Sequence, residues 1–313
     1  MGQKSHLGII GAGVAVKKAQ SGIGLFDTVS ITHLPDWHLE YPGSYNVFDD
    51  ISDLIADSGC DGLYIATPVA AHQHHIHAAL TSKLPTLVEK PMLLSSSQEE
   101  LFRDYDKSKV RVAFKKRYSL PARLIKSTIS AKPRGGASLA MRWFAPYPGD
   151  KHWKLDKAMA GGGILMDVGT HMLDMARFCC GSINVSAVRE IRFDAKCETE
   201  SYFSITCTSQ SGVSILLEGG WESENSFQEI RFWDGDSAID WRKDDQSTVQ
   251  RLSVRSSAGR SMQEVRPDEE YRLMFQQFLG LCWGQQDDLP TWMDGIENLR
   301  AIEEIFELVR VQG

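Results

Sequence analysis

Two short stretches of this sequence carry side chains whose types and spacing suit proton transfer. In AGGGILMDVGTHMLDMARF, Asp167 and His171 are four residues apart, which on a helix places them on one face. Asp174 falls near the same face, where a carboxylate can orient an imidazole. In TLVEKP, Lys90 follows a strand-like run and precedes Pro91. Each stretch has an ordinary reading too: Asp and His on a helix serve as surface or capping groups, and Glu-Lys-Pro is a charged strand end stopped by proline. Spacing alone leaves both readings open.

A third stretch, HLGIIGAGVAVKK, places Gly11 and Gly13 where a strand turns into a helix, so that the backbone from Gly11 through Ala12 and Gly13 to Val14 can approach a pyrophosphate. The third position of the dinucleotide fingerprint is Val16 rather than Gly or Ala, which loosens the expected packing of helix on strand. A plain glycine turn is the competing reading. The fingerprint also expects an acidic residue about 20 positions on, to bind the ribose. Here the second strand ends in Thr32 and His33, with Asp27 and Asp36 to either side. Without that carboxylate nothing repels a 2′-phosphate, and Lys17, Lys18 or His33 would attract one, so NAD and NADP are equal candidates. Two further strands run into Thr67-Pro68, followed by His72, and into Glu89-Lys90. Ligands of an open α/β sheet bind at that carboxyl edge, so Thr67, Pro68, His72, Glu89 and Lys90 are expected around the same cofactor.

These residues need a scaffold, and the hydrophobic pattern supplies one. HLGII, TVSIT, GLYIA, TLVE and VRVAF read as strands apolar on both faces, as in a parallel sheet. Between them, DDISDLIADSG has an Asp cap and helical spacing, and SSSQEELFRDYDKS opens with serine caps and acidic residues. Beyond about residue 120 the pattern changes to alternating segments, GASLAMRWF, INVSAVREIRF, SYFSITCTS and GVSILLEGGW, as in an antiparallel sheet with one covered face. EEYRLMFQQFLGLCW and MDGIENLRAIEEIFELVR return to helical periodicity. The expected fold class is α/β: a Rossmann dinucleotide-binding domain over residues 1–117 and an α+β substrate-binding and oligomerisation domain over residues 118–313, with an open, mostly antiparallel sheet.

Bulk properties narrow the function. A chain of 313 residues, 42% hydrophobic and 24% charged, fits two ordinary globular domains. A net charge of -7 lacks the positive field that binds a polynucleotide. No apolar run reaches the roughly 20 residues of a membrane span, and the start of the chain has no signal-peptide pattern. The six cysteines form no CxxC pair or regular spacing, which points to reduced thiols and a cytoplasmic setting. The run AHQHHIHAAL clusters His72, His74, His75 and His77, yet no carboxylate or cysteine nearby completes a ligand set. No metal is expected; His74 and His77 read as an exposed helix face.

In order along the chain, GIIGAG, YIATPVAAH, VEKPM, VAFKKRY, GGGILMDVGTH and DGIENLRAIEEIFE resemble the Gfo/Idh/MocA oxidoreductases, the glucose-fructose oxidoreductase and inositol dehydrogenase family. The resemblance spans nearly the whole chain. It implies NAD(P)-dependent hydride transfer at a secondary alcohol or ketone of a sugar, cyclitol or related polyol, with substrate between the domains, and a homo-oligomer, dimer or tetramer, built on the open sheet. Lys90 matches the family's active-site lysine, before a commonly cis proline bond. Asp167 and His171 match its D-x-x-x-H motif. His171 would then be the base, Lys90 the cation beside the developing alkoxide, and Asp167 a holder of substrate or a group that sets the charge state of its neighbours. Tyr118, His152, Trp153 and Lys154 fall where the family places parts of its substrate pocket; Trp153 also reads as packing at a seam. The same family includes NAD-dependent glycosidases that work by transient oxidation, and a dinucleotide-sensing regulator; retention of Lys90, Asp167 and His171 argues against the sensor.

Overall fold

The computed structural model describes residues 4–32, 45–131, 136–150, 152–193, 199–244, 250–265 and 269–312. His33, Asp36 and Cys197 lie outside them. The chain gathers into two compact units, one of Met1–Lys115 with Asp268–Glu297, the other of Lys116–Pro267 with Asn298–Gly313.

In the first unit, β1 (His6–Ile10), β2 (Thr28–Thr32), β3 (Tyr45–Phe48), β4 (Gly62–Ile65), β5 (Thr86–Val88) and β6 (Val110–Val112) form a parallel sheet in the order 3-2-1-4-5-6. That is the doubly wound dinucleotide-binding order, with its switch point between β1 and β4. The apolar runs bury on both faces: Leu7, Ile9, Val29, Ile31, Leu63, Tyr64, Ile65, Leu87 and Val88 have no exposed surface. The edge strand β3, largely exposed, lacks that signature and is not legible in the sequence.

The helices of this unit are α1 (Val14–Lys18), α2 (Gln20–Ile23), α3 (Ile51–Asp57) and α4 (Val69–Ser82). Asp50 caps α3, accepting from Asp53 N at 2.9 Å. The serine-capped stretch folds as a 3₁₀ helix, Ser96–Phe102, rather than an α-helix, although the capping box is present: Ser95 pairs with Gln98. Val16 does not loosen the packing; it is fully buried, and the helix breaks after Lys18 into α2 instead.

The division expected after residue 117 misses a return of the chain. In the second unit α5 (Leu120–Ala131), α6 (Lys157–Ala160) and α7 (Thr170–Cys180) follow, but α8 (Glu269–Cys282) belongs to the first. Its Phe275 and Phe278 pack on Phe26, Phe275 stands edge-on to Tyr64 at 5.0 Å, and Gly22 has no side chain because Phe275 fills the space a Cβ would need. Residues beyond α8 also join β6: Arg111 holds Asp287 through two hydrogen bonds of 2.8 and 2.9 Å, and Val112 N donates to Pro290 O. The last helix, α9 (Trp292–Gln312), begins here and ends in the second unit.

The second unit is built on β7 (Ser138–Phe144), β8 (Ile183–Phe193), β9 (Glu200–Ser209), β10 (Ser214–Gly220), β11 (Phe227–Trp233), β12 (Ala238–Asp244), β13 (Gln250–Ser256) and β14 (Gly259–Val265). Among the described residues these form one sheet in the order 14-13-12-11-7-10-9-8, antiparallel except for the β7–β10 pair. Leu139, Met141 and Trp143 alternate inward along β7, with Arg142 and Ser138 outward, which is the one-sided pattern expected.

Candidate active site

The glycine turn is set by β1 and its neighbours. Gly11 has φ +101°, and a Cβ there would lie 2.8 Å from the Ala66 carbonyl oxygen, so both its backbone and the approach of the β4 strand end require glycine. Thr32 accepts from Gly11 N through Oγ1 at 3.2 Å and is 3% exposed, so it braces the turn from the end of β2. Gly13 is different: a Cβ there would meet nothing within 4 Å. The backbone from Ala12 to Val14 thus offers an open cradle, with Val14 largely exposed, and it fits a dinucleotide pyrophosphate. Because α1 has only five residues, what it offers an anion is its amide groups more than an aligned macrodipole.

At the neighbouring strand ends, Thr67 and Pro68 stay accessible, and Thr67 Oγ1 shares a hydrogen bond of 3.0 Å with His75 Nδ1. Burial, and then the nearby His74 and His72, lower the His75 pKa to about 4, so this ring is neutral at neutral pH. His72 and Glu89, expected at the cofactor, point their polar atoms into the unit. The ring of His72 is 1% exposed, with Nε2 2.9 Å from Thr67 O and Nδ1 3.1 Å from both Pro91 O and Met92 O. Glu89 accepts from the Tyr64 hydroxyl at 2.7 Å and from Lys90 N at 3.2 Å; burial and this carboxylate hold the Tyr64 phenol well above its usual range. Lys90 remains partly exposed, and the Lys90–Pro91 bond is cis, as the resemblance implies.

In the second unit, the AGGGILMDVGTH stretch opens with a π-turn, Leu165–Gly169, before α7 begins at Thr170. Asp167 lies in this turn and His171 in the first turn of α7. Asp167 meets Lys154, Oδ2 accepting from Nζ at 2.6 Å. His171 sits beside the Trp143 indole, with ring centroids 6.3 Å apart. Both Asp167 and His171 are partly exposed. The turn that delivers Lys154 is capped by His152, whose Nδ1 accepts from Lys154 N and whose ring stacks on Trp153 at 5.8 Å. Burial, then the Lys154 charge, lower the His152 pKa.

Both oxygens of Asp174 accept from Arg117, at 2.6 to 3.1 Å, and the carboxylate is 1% exposed. Tyr118 is buried at 8% exposure in the 3₁₀ turn Lys115–Tyr118. Sequence reasoning missed Glu200. Its Oε1 accepts from Gly163 N and Leu165 N, each at 2.9 Å, and so ties the glycine run to the start of β9. Gly163 presses its Cα onto the Glu200 backbone, where a Cβ would strike the carbonyl oxygen. A lone glutamate 37 residues from its partner leaves no periodic signal.

Residues 6–115 match the family model described as oxidoreductase family, NAD-binding Rossmann fold, and residues 136–234 match the GFO/IDH/MocA C-terminal domain. The chain belongs to the GFO/IDH/MocA family. A D-apiose dehydrogenase of Rhizobium rhizogenes is 24% identical over 178 residues, 55% of this chain; the match spans about half, 50%, of that relative's length. A 1,5-anhydro-D-fructose reductase of Ensifer adhaerens is 25% identical over 260 residues, covering 80% of this chain and 77% of that protein. The crystal structure of an aldose-aldose oxidoreductase from Caulobacter crescentus, complexed with glycerol, matches with a TM-score of 0.81 over 99% of each chain at 17% identity, which speaks for a shared fold. Among the described residues no helix is long and apolar enough to cross a membrane.

Proposed function

We propose that this GFO/IDH/MocA chain is an NAD(P)-dependent oxidoreductase moving a hydride between nicotinamide and a secondary alcohol or ketone of a sugar, cyclitol or related polyol. The observation that carries the reading is the Gly11–Val14 turn, open at Gly13, at the switch point of a dinucleotide-type sheet. The names of the D-apiose dehydrogenase and the 1,5-anhydro-D-fructose reductase support a sugar substrate.

The dinucleotide, when bound, accepts or supplies the hydride. Gly11, Ala12, Gly13 and Val14 would hold its pyrophosphate, with Thr67, Pro68 and Lys90 on the same sheet edge. His171 takes the hydroxyl proton as the alcohol is oxidised and returns it in reduction, a task suited to an imidazole. Lys90 stabilises negative charge developing on the reacting oxygen. Asp167, fixed by Lys154, accepts from a substrate hydroxyl, and the stacked His152–Trp153 pair offers an apolar surface to a sugar ring.

The test is a screen of polyols, aldoses, cyclitols and nucleotide sugars with NAD and with NADP, followed by nicotinamide absorbance. On the responsive substrate, His171→Ala should lower turnover by about 10²-fold or more while dinucleotide still binds. Near-normal turnover in that variant rejects the assignment. Cleavage of a glycoside with no net nicotinamide reduction rejects the dehydrogenase in favour of a glycosidase.

A homo-oligomer, dimer or tetramer, is part of the same reading. One face of the second unit's sheet carries a cross-strand ladder: Arg242 over Phe227, Phe227 stacked on Phe144 at 5.1 Å, Arg142 bonded to Glu218, Glu218 to Tyr202, and Arg192 3.9 Å over Tyr202. Alternating cations, anions and rings suit a second copy of the same face. Light scattering of Phe144→Asp should report a smaller particle than the parent; an unchanged mass would remove this face from the assembly. The free thiols Cys60, Cys179, Cys180, Cys207 and Cys282 support a reducing, cytoplasmic setting.

A further inference from the structure

The sequence marks His72 as a cofactor contact, yet its ring is enclosed and faces only backbone. Three carbonyl oxygens surround its two nitrogens: Thr67 O at Nε2, and Pro91 O with Met92 O at Nδ1. The first belongs to the turn after β4 and the other two to the turn after β5, which are the two turns that carry Thr67 and Lys90 at the cofactor edge. The two ring nitrogens of His72 thus lie within hydrogen-bond distance of carbonyls in both turns. It stands in the first turn of α4, a helix packed on β4 and β5, so the ring is anchored from behind by the sheet and its neighbours.

We propose that His72 is a positioning residue for Lys90: its imidazole latches the Lys90–Met92 turn to the Thr67 turn and so fixes where the ammonium is presented. This rests on the reading that Lys90 serves in turnover. Each neutral tautomer closes one side of the latch, and a doubly protonated ring closes both. Burial outweighs the opposing pull of the Thr67, Met92 and Pro91 carbonyls and leaves the His72 pKa below its ordinary value; the neutral ring then ties down the Lys90–Met92 turn as its Nδ1–H tautomer, from a ring already carried by α4 just after Thr67. A phenyl or alkyl group of similar volume would fill the space and hold neither turn. Asparagine keeps a donor at the Nδ1 position, toward Pro91 and Met92, and glutamine keeps one at the Nε2 position, toward Thr67.

The experiment uses the full chain and has two arms. Hydrogen exchange on His72→Leu should show faster exchange confined to the segments 67–69 and 89–94, with β1 and β2 unchanged, and His72→Asn should restore protection at 89–94 better than His72→Gln. Unchanged exchange at 89–94 in His72→Leu, or loosening spread evenly over the unit, overturns the latch. In the kinetic arm, His72→Leu should lower kcat about tenfold with the dinucleotide Kd altered less than threefold, and should cost less than a further twofold when added to Lys90→Met. Equal losses in both backgrounds overturn the action through Lys90. If exchange changes as expected while Lys90→Met alone leaves kcat intact, the latch stands and the catalytic reading of Lys90 is what fails.

Discussion

Glu200 tests whether the second unit's half of the site is held from below. The carboxylate is 1% exposed and Oε1 receives two backbone amides of the glycine run and π-turn, with the Met166 amide nearby. Glu200→Ala leaves those two buried N–H groups without an acceptor, at about 1–3 kcal/mol each, and opens a small void. A loss of about 3–5 kcal/mol is expected, a large share of the roughly 5–15 kcal/mol that keeps a domain folded. Glu200→Gln keeps a carbonyl oxygen in place and removes a charge from a buried position, so its loss should stay within about 1 kcal/mol. The pH behaviour has a definite sign. Burial raises the Glu200 pKa against the pull of its amide donors, so between the ordinary carboxylate range and that raised value the folded chain binds a proton the unfolded chain does not. This contribution is therefore most favourable in acid and is lost as pH rises through the folded pKa. Urea unfolding followed by tryptophan fluorescence from pH 5 to 8 measures all of this. An alanine variant within about 1 kcal/mol of the parent, or a glutamine variant as damaged as alanine, would refute the reasoning.

Other perturbations separate scaffold from site. Gly11→Ala should unfold or strongly destabilise the first unit, because its methyl meets the Ala66 carbonyl, whereas Gly13→Ala should melt within a degree or two of the parent and weaken dinucleotide binding about tenfold or more; fluorescence titration of NADH and NADPH decides. Lys154→Met should leave the fold intact and lower kcat/KM about tenfold or more by releasing Asp167, with Lys154→Arg restoring part of it; steady-state kinetics that show no change would deny the pair a role. His75 has a folded pKa of about 4, below its unfolded value near 6.5, so its contribution is complete above pH 6.5 and is lost as pH falls toward 4. His75→Asn should flatten that acid limb in a thermal-melt series, and an unchanged limb counts against it.

Much of this molecule is legible in its sequence where the signal is local. The five strands of the parallel sheet that are apolar on both faces, the Asp50 cap and the glycine turn all declare themselves within a few residues. Local signals also misled: Val16 departs from the fingerprint yet packs fully, because the chain breaks its helix after Lys18. What stayed hidden depends on distant partners. His72 looks like a ligand until Pro91 and Met92 fold over it, and nothing near Asp174 in the sequence announces that Arg117, 57 residues away, holds its carboxylate.

The return of α8 has a consequence for how the chain can be made and cut. Tyr64 and Phe26 find their aromatic partners Phe275 and Phe278 only when more than 270 residues have been synthesised, so the unit whose translation starts first must wait for a late part of the chain to finish its core. A fragment ending at residue 117 would carry the whole parallel sheet and still present a greasy seam beside Gly22 and Gly62, where Phe275, Phe278 and Cys282 belong. Dye binding to such a fragment should report that seam, and adding back residues 269–297 should quench it. Sequence neighbourhood and structural autonomy part company here: the cofactor-type unit is a split module, clasped shut by the late part of the chain.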